Sequence, residues 1–375
     1  MVPAIAIALL VVGSAMALVF DRLWQDAAFL ELHSTGEAAA LAAANRLADD
    51  DSLKKDADGA AIGQSARTAA ADIALKNSVG GLPVKLWDSE DGDIEIGRYV
   101  QDSSGTRVFV RTTEQPDCVL VHAEQGRGAS NPVGLLVRDL TGAGRLLRTT
   151  VQATADHHVI GLRPYDGVNC PMLPIALAAT GPTGWDAMIT AGTGPDTCGV
   201  PRGTRTIQPS PDGIAEMTAL SAPPQATTRE QTLATVHVFD IGKGLAGNRL
   251  AEQCHDGWSI EDLSRHGGEV LFGGAAKPFK STPKIPAAVA DELSSLIGQT
   301  RMCLVYDAAT PGGSPDEWTI MARRLVAVRI LAVQHAGGTV ALHVQPAVVA
   351  TRTAITDDSE DADWNPYVCK VSITN

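Results

Sequence analysis

The stretch TVHVFDIGKGLAGN (235–248) carries the spacing most suggestive of chemistry. A β-branched run from Thr235 to Ile241 leads into Gly242, Gly244 and Gly247. This is the G-x-G-x-x-G spacing of turns that present backbone N–H groups to a pyrophosphate. A dinucleotide site also needs a full helix after the third glycine and a second strand ending in a ribose-binding acid. Here Asn248 to Cys254 is short, His255-Asp256-Gly257 breaks it, and Glu261 and Asp262 open a new helix capped by Ser259. The spacing predicts a flexible turn after a strand, with no cofactor.

Other candidate chemistry is weaker. His157 and His158 are neighbours within an expected strand, Val151 to Ile160, so their side chains point to opposite faces and cannot share an ion. Cys254-His255, with His266 nearby, lacks a fourth ligand at zinc-site spacing. No G-x-S-x-G, H-E-x-x-H or G-x-x-x-x-G-K-[ST] is present. With 43 acidic residues, pairs such as Glu261 and Asp262 arise by chance. The acidic run Asp357 to Asp363 lacks the spaced oxygens and turn glycine of a calcium loop. The expectation is a protein with no catalytic, cofactor or metal residues.

Composition narrows the partners. The formal net charge of −13 argues against nucleic-acid binding. With 36 glycines, 21 prolines and few aromatic residues, the chain should have many loops and an aliphatic core. At 375 residues it exceeds a single core. Six dispersed cysteines, Cys118, Cys170, Cys198, Cys254, Cys303 and Cys369, contain no C-x-x-C pair. In an exported chain they permit up to three disulfides of undetermined pairing, and in a cytosolic one they are buried thiols.

Compartment rests on the N-terminus. The run from Val2 to Phe20 has no charged residue and includes Val2, Pro3, Leu9, Leu10, Val11, Val12, Leu18, Val19 and Phe20. At about 1.5 Å per residue it is long enough to cross a hydrocarbon core of roughly 30 Å. A rival reading is a signal peptide cleaved after Ala15-Met16-Ala17. The helix-favouring pattern continues to Ala48, with Leu23, Ala27, Leu30, Ser34, Ala38, Leu41 and Ala44 on one stripe, and only Gly36 weakens it, by about 1 kcal/mol. A second Ala-rich segment, Asp58 to Ser78, places Ile62, Ala66, Ala69 and Ile73 on one face and folds back as a helical hairpin.

Asp21, Arg22 and Leu23 running into GEAAALAAANRLAD (36–49) resemble the start of the bacterial TadE/TadG-type proteins of the tight-adherence (Tad, or Flp) pilus system. NSVGGLPVKL with DIEIGRY (93–99), SNPVGLLV (130–137), EDLSRHGG (261–268), LIGQTR (296–301) and VQPAVV (344–349) resemble segments of TadG-like proteins in the same order. The sequence departs from pilins in lacking a prepilin-peptidase site, since Leu18 stands five residues after Gly13. Some TadG-like proteins carry a D-x-S-x-S metal motif, but Asp102-Ser103-Ser104 has a different spacing.

The expected fold class is α+β, with a long N-terminal transmembrane and stalk helix, a helical hairpin, and mixed antiparallel β-rich extracytoplasmic domains. Five segments are expected: an anchor and stalk (1–50), an α+β unit (51–165), a Pro/Gly-rich loop or linker (166–230), a C-terminal α+β domain (231–350) and an acidic tail (351–375). In the C-terminal domain, Pro286 to Ile297 reads as a helix with Val289, Leu293, Leu296 and Ile297 inward. Two strands there pair through Ala336-Gly337-Gly338.

The resemblance implies a non-catalytic, single-pass component of the inner membrane, accessory or minor-pilin-like, whose partners are other Tad/Flp proteins or pilins. No small-molecule substrate is implied. Two alternatives stay open: an exported binding module released by cleavage, and a nucleotide-dependent enzyme.

Overall fold

The computed structural model describes residues 2–101, 106–125, 146–223, 226–227, 231–272, 274–314, 316–336, 338–357 and 363–374. SNPVGLLV, Asp102-Ser103-Ser104 and most of the acidic run from Asp357 lie outside the described residues. The fold is α+β, as the sequence predicts. It divides into two compact units, one of Met1–Leu47, Gly59–Ala155 and Val371–Asn375, the other of Ala48–Asp58 and Asp156–Lys370. The five segments expected from composition are therefore corrected to two units, for a topological reason: the chain leaves the first unit twice and returns to it with its last strand.

The first unit is built on helix α1 (Val2–Leu47), which is unbroken for 46 residues. Helix α2 (Gly59–Lys76) packs along it, so the expected hairpin forms. A short ribbon, β1 (Ser78–Val79) with β2 (Leu82–Pro83), precedes a sheet of β3 (Ile94–Gln101), β4 (Arg107–Arg111), β5 (Cys118–Gln125) and β6 (Leu147–Asp156). These strands run antiparallel in the order β6-β5-β3-β4. Alternation along β5, with Val119, Val121 and Ala123 buried, presents an apolar face to the helices.

Both helical faces are rotated from those expected. The buried stripe of α1 is Asp21, Gln25, Ala28, Leu32, Thr35, Gly36, Ala39, Ala40, Ala43, Ala44 and Leu47, whereas Leu23 and Leu30 are exposed. On α2 the buried face is Ile62, Gly63, Ala66, Arg67, Ala70 and Ala74, with Ala69 and Ile73 half-buried. The reason is steric. Close approach of two helices and a sheet selects the smallest side chains, not the most apolar ones. On the helices alanine dominates this core beside Leu32, Leu47 and Ile62, and the sheet supplies larger residues such as Ile94, Ile96, Val119, Val121 and Val151.

The second unit contains β7 (Val159–Leu162), β8 (Met172–Ala178), β9 (Met217–Leu220), β10 (Val236–Phe239), β11 (Val270–Leu271), β12 (Lys277–Thr282), β13 (Thr300–Pro311), β14 (Trp318–Ala336), β15 (Thr339–Pro346), β16 (Val349–Ala350), β17 (Ala354–Thr356) and the start of β18 (Val368–Thr374). Seven strands join in the order β12-β10-β8-β13-β14-β15-β9. The 19-residue β14 also pairs with β12, closing β12, β10, β8, β13 and β14 into a five-stranded barrel. The expected hairpin forms, with Ala336 opposite Thr339.

The Pro/Gly-rich segment 166–230 is not a linker. It supplies β8, which sits between β10 and β13, and β9, the last strand of the sheet. All seven residues of β8 are buried. Leu173, Ile175 and Leu177 join one core with helices α3 (Gly247–Asp256) and α4 (Ala287–Ser295), and Met172, Ala176 and Ala178 join a second. A strand buried on both faces reads as a continuous apolar run without alternation. On α4, Val289, Leu293 and Leu296 are buried as expected, but Ile297 lies past the last turn and is 39% exposed. The helix expected to follow Ser259 is reduced to turns and the short 3-10 segment Ser264–His266.

Candidate functional site

Helix α1 has two physically distinct halves. From Pro3 to Phe20 its side chains face outward, including Leu9, Leu10, Val11, Val12, Leu18, Val19 and Phe20; Leu10 is 70% exposed. Val2 begins the helix. This half has a mean hydropathy of 2.4 over its apolar window, none of it buried, and is long and apolar enough to cross a membrane. Beyond it, Trp24 and Phe29 are exposed and Arg22 pairs with Asp26 at 3.3 Å, before the alanine stripe buries the helix in the first unit. Aromatic and charged residues at the end of an apolar span are the chemistry of a membrane–water boundary.

The glycine turn has a different occupant from the one its spacing suggests. Strand β10 is antiparallel to both its neighbours, so it is not part of a parallel β-α-β unit. Asp240 follows it directly, and its Oδ1 accepts hydrogen bonds from the N–H groups of Gly242 (2.6 Å) and Gly244 (2.7 Å). The donors that a phosphate would need are already held by a carboxylate of the same loop. Helix α3 then runs for ten residues from Gly247.

The histidines singled out in the sequence are scattered in roles. His157 Nδ1 lies 2.7 Å from the Asn365 carbonyl oxygen and its ring stacks on Trp364 at 4.4 Å. Burial pulls its pKa down to about 4. His158 lies in the turn after β6, its Nδ1 2.9 Å from Asp156 Oδ1. Exposed His255 pairs with Glu292 at 2.9 Å while its neighbour Cys254 points into the core. Asp262 is buried, which opposes its charge, yet hydrogen bonds from Ser259, Gln253 and Lys243 hold its carboxyl below the usual range.

The disulfides allowed for by the even cysteine count are not formed: all six thiols are free. Five are buried, on different elements such as β5 for Cys118, α3 for Cys254 and β13 for Cys303. Burial pushes Cys170 up to about 11, Cys118, Cys254 and Cys369 up to about 12, and Cys303 higher still. Cys198 alone is half-buried.

That cysteine belongs to a cluster with no sequence signature. Cys198, Glu216 and His343 bring a sulfur, a carboxylate oxygen and an imidazole nitrogen within 4.8 Å of one another. Neither gap matches a ligand motif; only the pairing of β9 with β15 joins Glu216 to His343. Loop residues 195–214 carry Cys198 and continue into a cleft of about 470 Å³, walled also by residues 48–54. Its charges satisfy each other: Arg202 with Asp49 (2.7 Å) and Asp51 (3.0 Å), Lys54 with Asp51 (2.7 Å), and Arg329 with Asp50. Burial raises the Asp50 carboxyl despite Arg329. Within the second unit, the cleft thus ties residues 49–51 to Arg202 and Arg329. The sequence showed these acids only as an Asp-rich turn.

Searches of protein families, of characterised proteins and of solved structures return no match to this chain.

Proposed function

We propose that the chain is a membrane-anchored, non-catalytic component of a Tad/Flp pilus-assembly apparatus, acting through protein contacts. The observation that carries the anchoring is the split character of α1. An apolar half with no buried residue in its window is continuous with a half whose small stripe is fixed in a folded core. Cutting a soluble domain's core helix would not leave such a boundary, because an unpartnered apolar surface of this length would aggregate in water. A bilayer, or neighbouring anchors packed through Gly13, Ser14 and Ala15, gives that surface a partner. The pilus system is supported by the ordered series of TadG-like segments along the sequence. In this reading the single-pass helix lies in the inner membrane, with both units outside the cytoplasm, where they meet other assembly proteins or pilins.

Two measurements test it. Full-length protein should sediment with membranes and resist alkaline extraction; recovery as a freely soluble species would overturn the anchor. N-terminal sequencing that starts after Ala17 would instead support the released binding module. Deletion should impair pilus assembly and surface adhesion, and unchanged piliation would overturn the pilus assignment.

A further inference from the structure

We propose that Cys198, Glu216 and His343 form a zinc(II) site, with the fourth position taken by water. Its parts come from three places in the second unit. His343 lies on β15 opposite Thr218 of β9, on the face away from Leu342 and Val344, which fill the core. Glu216 immediately precedes β9 and is fully buried. Its own N–H donates to the Pro195 carbonyl oxygen at 2.7 Å, which draws the 195–199 loop and Cys198 toward it.

The Glu216 carboxylate is held in one orientation. Its Oε1 accepts from the N–H groups of Thr197 (2.9 Å) and Cys198 (2.5 Å), while Oε2 accepts from Thr197 Oγ1 (2.8 Å). Such bonds are the outer-shell contacts that fix a ligating carboxylate, and Oε2, with a single donor, keeps a lone pair for a metal. That oxygen is 2.8 Å from His343 Nε2. Yet Nε2, itself shielded from solvent, makes no aligned hydrogen bond. The contact is a close imidazole–carboxylate approach in which the ring nitrogen and the carboxylate oxygen do not satisfy each other by an aligned hydrogen bond. A metal ion bound by both atoms would give the buried nitrogen the partner it lacks.

The donor set selects the ion. One thiolate, one imidazole and one carboxylate suit a borderline divalent metal, whereas magnesium and calcium require oxygen alone. With zinc–ligand distances of about 2.0–2.3 Å, neighbouring ligand atoms stand roughly 3–4 Å apart. The present spread reaches that with rotamer-scale movement of Cys198, whose side chain is on a partly exposed loop. Three protein ligands leave one position for water.

The test uses full-length protein in detergent, stripped with a chelator and titrated with zinc against a chromophoric competitor, then with cobalt(II). One equivalent should bind, and the cobalt form should show a thiolate charge-transfer band with tetrahedral d–d intensity. Cys198→Ser should remove that band, and Cys198→Ser and His343→Gln should each weaken zinc at least about 100-fold. His335→Ala, at an exposed position on β14, should change neither. As a readout independent of the variants' folding, zinc should raise the melting temperature of the wild-type protein. Absence of the charge-transfer band, or zinc affinity unchanged in Cys198→Ser, would overturn the site and leave a buried carboxylate–imidazole pair.

Discussion

A Cβ placed on Gly36 would stand 3.1 Å from Cγ2 of Val151, with Thr149 and Ala123 also within 4 Å. Gly63, in the same helical hairpin, has room: its added Cβ would meet Ile96 at an ordinary 3.5 Å. The two glycines therefore have opposite meanings. Gly36→Leu should overpack the interface between α1 and the sheet and destabilise the first unit by about 1–3 kcal/mol. Gly63→Ala should stabilise it by about 0.5–1 kcal/mol, because a helix interior favours alanine. Denaturant unfolding of the two variants in detergent checks both signs.

Asp240 should prove structural. Asp240→Ala leaves the N–H groups of Gly242 and Gly244 without their acceptor, at a cost of about 1–3 kcal/mol. Asp240→Asn keeps an oxygen there and should recover most of the loss. Melting temperatures of the pair decide it, and equal losses would show that the charge matters more than the bonds.

Stability should fall in mild acid. Burial lowers the pKa of His157 and of His237 to about 4 in the folded state, against about 6.5 unfolded. A depressed histidine is neutral in the fold, so its contribution is fully present above pH 6.5 and is lost as pH falls toward 4, because the unfolded chain binds the proton first. The contribution is on the order of 2–3 kcal/mol for each. His237 lies against the rings of Tyr306 and Trp318 at 5.2 and 5.7 Å. His237→Phe should therefore flatten the fall between pH 6.5 and 4.5, measured as the urea midpoint against pH. An unchanged slope would refute the assignment.

Only one thiol should react quickly in the native protein. Cys198 is half-buried, while the other five are buried with raised pKa values, so the reactive thiolate is scarce as well as shielded. In protein stripped of metal with a chelator, a colorimetric thiol reagent should count one fast equivalent before denaturation and six after it. Cys198→Ser should abolish the fast phase.

A charge in the outward-facing helix should interfere with anchoring. Val11→Arg puts a guanidinium at the middle of the apolar half, which costs about 2.5–3.5 kcal/mol in membrane insertion. The fraction recovered with membranes should drop, whereas Val11→Leu should leave it unchanged.

The sequence by itself determined what depends on near neighbours in the chain. An uncharged apolar run continued by alanine dictates a long helix, and period-two β-branched stretches dictate β5, β14 and β15, because these patterns act through local geometry and burial of one face. Tertiary structure decided which face of each helix is buried, since that depends on how closely Gly36 lets the sheet approach. It also decided that residues 172–178 are a central strand: burial on both faces erases the alternation by which strands are recognised, and a proline-rich context hides what remains. The glycine spacing at 242–247 was legible, but its occupant, Asp240, became visible only when backbone geometry aimed the carboxylate inward. Cys198, Glu216 and His343 left no trace in the sequence, because strand pairing and one loop contact, rather than spacing along the chain, bring their donor atoms together.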